Sequence, residues 1–233
     1  NEERQEKRMV QSYAKSLISD LEGDIEAIEE VRSQMIELKS RIDSLSNYVR
    51  NKSIDDLSNL TILMLIIDDG YSPYSWNRAN MEELKSSGAL RFKGNMELAK
   101  KIAAYDAFSK HMDEDYKTDQ GLVEINFPLV RKVVNMNYSN YSRLSSLGLN
   151  NIPYLTECSA MTQENLESAK NLKEALIVAE SNNLSLLTQD QNTMNEMING
   201  YLVLARNLEV RYNSELPDLR KEAEEIIDLL KNR

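Results

Sequence analysis

Among its 233 residues the sequence has one cysteine, Cys158, and one histidine, His111. That excludes an intrachain disulfide and a cysteine-rich zinc site, and it removes the paired Glu-x-x-His motifs that di-iron helical bundles require. A cysteine nucleophile needs a neighbouring base, so a small, partly buried structural role is the favoured reading of Cys158. The compartment stays open, because oxidising compartments also hold proteins without disulfides. Glycine-rich phosphate loops, G-x-S-x-G and H-E-x-x-H are missing as well. The expectation is a protein without enzymatic activity, cofactor or metal. Seven Gly and four Pro leave few turning points. The longest apolar run, Ile62 to Ile67, falls far short of the ~20 residues a membrane helix needs.

What is present suits long, water-facing helices. Hydrophobic residues make up 41% and charged residues 28% of the chain, ordinary values for a folded protein. At this length roughly 70–75% of the unfolded surface can be buried. The formal net charge of −10 opposes nucleic-acid binding, which needs a concentrated Lys/Arg surface. Arg4, Lys7 and Arg8 are interleaved with Glu2, Glu3 and Glu6, and a solvated helix face is favoured over a phosphate site.

The chain is organised around Ala14 to Val49. Alternating steps of three and four give Ala14, Leu17, Leu21, Asp24, Ile28, Val31, Met35, Leu38, Ile42, Leu45 and Val49, apolar everywhere except Asp24. A repeat of 3.5 residues held for about five heptads without Pro predicts one long helix, about residues 4–50, with a narrow seam. At 1.5 Å per residue it would be roughly 70 Å long, so other helices must lie along it. Gly23 sits inside this helix, where Gly costs about 1 kcal/mol relative to Ala. Asp24 faces the core and must be paired or protonated. It either takes hydrogen bonds from a neighbouring loop or helix end and fixes register, which is favoured, or contacts a ligand or ion.

Ser53-Ile-Asp-Asp56 fits a helix start, and helix 2 is expected from Ile54 to Asp68, apolar on every face and so buried all round. Tyr71-Ser-Pro-Tyr-Ser-Trp76 is a loop whose rings either plug a bundle end, the favoured reading, or form a recognition patch through Tyr71, Tyr74 and Trp76. Asn80-Met-Glu-Glu83 resembles a capping box for a short helix, 77–87, ended by Gly88. Asn95 is expected to cap helix 4, with Leu98, Ile102, Tyr105, Met112, Tyr116 and Val123 inward, and Gly121 and Pro128 bending or splitting it. Residues 138–160, rich in Ser, Asn, Tyr, Gly and Pro, read as a boundary or crossover loop. A helical pattern resumes with Leu166, Ala169, Leu172, Leu176 and Ala179. A second follows through Leu187, Gln191, Met194, Ile198, Tyr201, Ala205, Leu208 and Tyr212. The two are out of phase at Asn182-Asn183, which means a break or a stutter. Pro217 is expected to end that helix and seat the last one, 218–231, with Leu219, Ala223, Ile226 and Leu230 inward. The fold expected is all-α, an elongated antiparallel bundle built along a coiled-coil-like first helix. Its parts are an N-terminal half (1–137), the crossover (138–160) and C-terminal helices completing the same bundle (161–233).

Three motifs carry a resemblance. They are Asn1-Glu-Glu-Arg4; Leu17, Asp20, Leu21 and Asp24; and Leu84, Ser87, Gly88 and Leu90, followed by Asn95, Leu98, Ile102 and Tyr105. In order and spacing these resemble an uncharacterised family of single-pass membrane proteins from Bacteroidota, a domain of unknown function, over about residues 1–106. Asn80 stands where that family usually has Thr, and Asp106 where a second Tyr is common. The opening Asn1-Glu-Glu-Arg4, without an initiator Met and already helical in pattern, reads as a truncated start, and the resemblance implies an upstream membrane helix preceded by a basic segment. By the positive-inside rule, residues 1–233 would then face the periplasm from the inner membrane. It implies no activity.

His111 and Asp115 share a helical face and could form a weak metal pair, but a solvated acidic face is favoured. Asp68-Asp69 and Glu82-Glu83 read as helix-end charges. The ten Met include Met35 and Met194 on core stripes, so packing accounts for them better than a binding surface. Two functions remain. The first is a membrane-anchored interaction or scaffold module that pairs with itself or a protein partner. The second is an extracytoplasmic sensor-type bundle holding a small ligand near Asp24, Tyr74 and the 138–154 segment.

Overall fold

The computed structural model describes residues 2–67, 70–86, 96–148, 163–181 and 184–232. Among these every regular element is helical: α1 (Glu2–Arg50), a 3-10 turn (Ile54–Asp56), α2 (Asn59–Ile66), α3 (Ala79–Ser86), α4 (Met96–Val133), α5 (Tyr141–Gly148), α6 (Gln163–Glu180), α7 (Gln191–Val210), a π turn (Arg211–Glu215) and α8 (Leu216–Lys231). The protein is an all-α helical bundle. None of its described helices is long and apolar enough to cross a membrane. Asp68, Asp69, Gly88, Asn95, Cys158 and the Asn182-Asn183 junction lie outside the described residues, as do the side chains of Arg4, Lys7, Arg8, Leu84, Leu166, Ala169 and Leu172.

The described chain forms two compact units. One comprises residues 1–34, 72–118 and 210–233, the other 35–71 and 119–209. Neither unit is continuous in sequence, and no unit boundary falls at 137 or 160.

In the first unit, Leu17, Leu21, Asp24, Ile28 and Val31 of α1, Leu98, Ile102, Tyr105 and Met112 of α4, and Leu216, Leu219, Ala223, Ile226 and Ile227 of α8 are all buried. Lys231 pairs with Glu22 and Arg220 with Glu29, so α8 runs antiparallel to α1. Lys101 bonds Glu225 and Arg211 bonds the Asp115 carbonyl, so α8 and the π turn also run antiparallel to α4. Pro217 does not end the helix. The Leu216 N–H reaches back to the Arg211 carbonyl, and this wider turn seats Pro217 in the first turn of α8 without a break. A π turn relieves the clash between the proline ring and the preceding turn by changing which carbonyl faces it.

In the second unit, Met35, Leu38, Ile42, Leu45 and Val49 continue the α1 seam, and α2 is buried over nearly its whole surface, as its apolar composition predicts. The helix starts later than expected. Ser53 opens the 3-10 turn and its hydroxyl donates to Asp56, whereas Ser58 caps α2 by accepting from the Thr61 N–H. α4 is a single helix through Pro128. Pro128 and Glu124, whose carbonyl loses its donor, both lie on the exposed side, where water can replace the missing bond.

The 138–160 segment is not all loop, since it contains α5, and Asn140 ties it to the Ala175 carbonyl of α6. α6 turns Ala175 and Ala179 inward and leaves Leu176 half-buried. The phase change near 182 is a break: α6 stops at Glu180 and α7 begins at Gln191. Asp190 caps α7 by accepting from the Asn192 and Thr193 N–H groups and from the Thr193 hydroxyl, bonds that hold its carboxyl below its usual range. The inward stripe of α7 therefore begins at Met194. Gln191 is exposed, and Leu187 is 57% exposed while Leu186 is buried.

Two glycines in this unit separate packing from propensity. A Cβ on Gly200 would lie 2.3 Å from Asn126 Oδ1, and Asn126 is buried with its Nδ2 donating to the Met197 carbonyl. One on Gly121 meets nothing within 4 Å. Gly121→Ala is therefore expected to stabilise by about 0.5–1 kcal/mol, the helix-propensity gain. Gly200→Ala is expected to destabilise by about 1–2 kcal/mol, because losing a buried hydrogen bond outweighs that gain. Urea midpoints of the two variants check the sign of each.

Candidate functional site

Asp24 was the position most in need of a partner, and it has three donors. Its Oδ1 accepts from the Asn77 N–H at 2.9 Å and from Asn77 Nδ2 at 3.4 Å, and its Oδ2 accepts from the Tyr105 hydroxyl at 2.8 Å. The residue is 1% exposed. Burial raises the carboxyl above its usual range despite these donors, and nearby Asp20 adds to the effect. Burial, and then the Asp24 charge, push the Tyr105 phenol far above its ordinary value. Gly23 belongs to the same arrangement: a Cβ there would come within 3.1 Å of Asn77 Nδ2. The glycine that weakens the isolated helix lets the 72–78 strap lie against it.

The strap is tied down along its length. The Ser72 N–H donates to Gln34, Trp76 Nε1 donates to Asp113 at 2.7 Å, and Arg78 pairs with the other oxygen of Asp113 at 2.7 Å. Tyr74 and Trp76 stack, with centroids 4.8 Å apart and both rings half-buried. Asn80, expected to be a cap, instead lies inside α3 and donates to Asp20. Glu83, its expected partner in the box, accepts from the Tyr13 hydroxyl. Both side chains are used against α1, and Arg78 occupies the cap position, its carbonyl accepting from the Glu82 N–H.

Tyr71 falls in the second unit. Its hydroxyl donates to buried Asp119 at 2.8 Å, and Asn207 of α7 donates to the other oxygen at 3.2 Å. Asp24 and Asp119 are thus satisfied by similar chemistry, each buried aspartate accepting from a tyrosine hydroxyl and an asparagine amide. Sequence reading missed Asp119 and Asn126, but a signal existed. Leu98, Tyr105, Met112, Asp119, Asn126 and Val133 recur every seven residues on α4, and all six are buried.

Arg41 was also missed. It is 1% exposed on α1, and its guanidinium donates to the Ile67 carbonyl at the C-terminal end of α2. Glu37, one turn earlier, has its carboxyl raised by burial and partly offset by the Arg41 charge.

The His111–Asp115 pair gains a third member. His111 Nε2 lies 3.3 Å from Asp115 Oδ2 and 3.8 Å from Glu215 Oε1 of the π turn. These three groups have ligand atoms close enough to share a cation. Arg211, however, is buried between the same carboxylates, 3.4 Å from Asp115 Oδ2 and 3.4 Å from Glu215 Oε2. A fixed guanidinium there supplies the countercharge and repels a metal ion.

No protein-family model, no curated protein and no solved structure matches the chain.

Proposed function

We propose that the chain is a non-enzymatic helical interaction or scaffold module that pairs with a second copy of itself or with another protein. The observation that carries this reading is where the polar side chains are spent. Asp24, Trp76, Tyr71 and Asp119, the groups best suited to a ligand, all hold helices and strap together. A recognition site keeps polar groups available for its ligand, whereas register-fixing groups are satisfied within the chain. Contact with a partner then falls to the outward faces. The α1 seam itself is filled: every position from Leu17 to Val49 on it is at most 4% exposed. Ile36, off the seam of α1, is 42% exposed, and Val203 of α7 is 49% exposed.

The resemblance carried by Leu17, Asp20, Leu21, Asp24 and Tyr105 supports an anchored, periplasmic setting for this module. Protease accessibility of the full-length protein in intact and permeabilised cells tests it, and degradation without permeabilising the inner membrane is the expected result.

Ile36→Glu separates this reading from a purely structural one. The variant is expected to fold with a stability within about 0.5 kcal/mol of the parent, because the site is exposed. It is also expected to lose self-association in light scattering, or a cross-link formed from position 36 in cells. A chain that is monomeric, and that cross-links to nothing from positions 36 and 203, overturns the module reading. A sensor-type bundle with a small ligand is the second reading, favoured by the half-exposed Tyr74–Trp76 pair. Trp76 is the chain's one tryptophan, so saturable quenching of its fluorescence by a small molecule is the result that would select it.

A further inference from the structure

No further inference is drawn: the strongest candidate, the His111, Asp115 and Glu215 cluster where the π turn meets α4, is already spanned by the Arg211 guanidinium, and no second observation points to a ligand bound there.

Discussion

Arg41→Met is expected to destabilise the protein by about 3–5 kcal/mol, the range for removing one member of a buried charged network. Three effects add. The Ile67 carbonyl, which receives the guanidinium at the end of α2, loses its donor inside the protein. The negative end of that short helix loses the positive charge that faces it. Glu37 loses the cation that partly offsets its burial. The last effect gives the loss a pH dependence. Glu37 already holds its proton more tightly in the folded chain than in the unfolded one, and without Arg41 it holds it more tightly still. The deficit of the variant is therefore largest near neutral pH and shrinks on acidification, as Glu37 becomes neutral. Arg41→Lys is expected to recover part of the loss, since the charge returns without the planar fork. Urea unfolding of the three proteins at two pH values measures all of this. A Met variant as stable as the parent would show that α2 docks through its apolar surface alone.

Asp24→Ala is expected to cost about 2–3 kcal/mol, because it strands the buried Tyr105 hydroxyl and takes the acceptor from the part-buried Asn77 N–H. Asp24→Asn keeps the shape and one acceptor and should cost less. The pH dependence has a definite sign. Burial holds the Asp24 carboxyl above its usual range, so the folded chain binds that proton more readily than the unfolded chain. Its contribution is full below the ordinary aspartate range and is lost as pH rises through the raised value. The stability gap between the parent and Asp24→Asn should therefore narrow as pH rises from about 3.5 to 7. A gap that widens over that interval would falsify the assignment of burial as the dominant influence. A double-mutant cycle with Tyr105→Phe should return a coupling of about 1–2 kcal/mol, since the bond is charge-assisted once Asp24 ionises.

The long α1 seam was legible because an apolar repeat of 3.5 residues, set among charged neighbours, fits a packed helix and little else. The structure buries it from Leu17 onward and leaves Ala14 at its half-covered start. The all-round burial of α2 was legible for a related reason, since Leu60 to Ile67 offers no polar face to present to water. The same rule applied to α4 would have flagged Asp119 and Asn126, because a polar residue on a heptad position requires a partner whatever its name. The prolines misled. Pro217 reads as a helix end and Pro128 as a bend or a split, yet Pro217 follows a turn widened to receive it and Pro128 does not split α4, lying where water can satisfy the freed carbonyl. Local chemistry alone cannot say which side of a helix will face solvent, and that side decides whether a proline interrupts it.

The chain's own pattern determined that this protein is helical, that α1 and α2 are core elements and that Asp24 must be satisfied. Each of these follows from the period of apolar residues along one segment, which neighbours in sequence encode. Tertiary structure alone decided that Asn77 and Tyr105 are the groups that satisfy Asp24, across sequence separations of 53 and 81 residues. It also decided that Arg41 closes the end of α2 and that Tyr71 answers Asp119. Periodicity fixes which face of a helix must be covered. The residue that covers it is set by how distant segments pack, and helical repeats on many segments are compatible with many such packings.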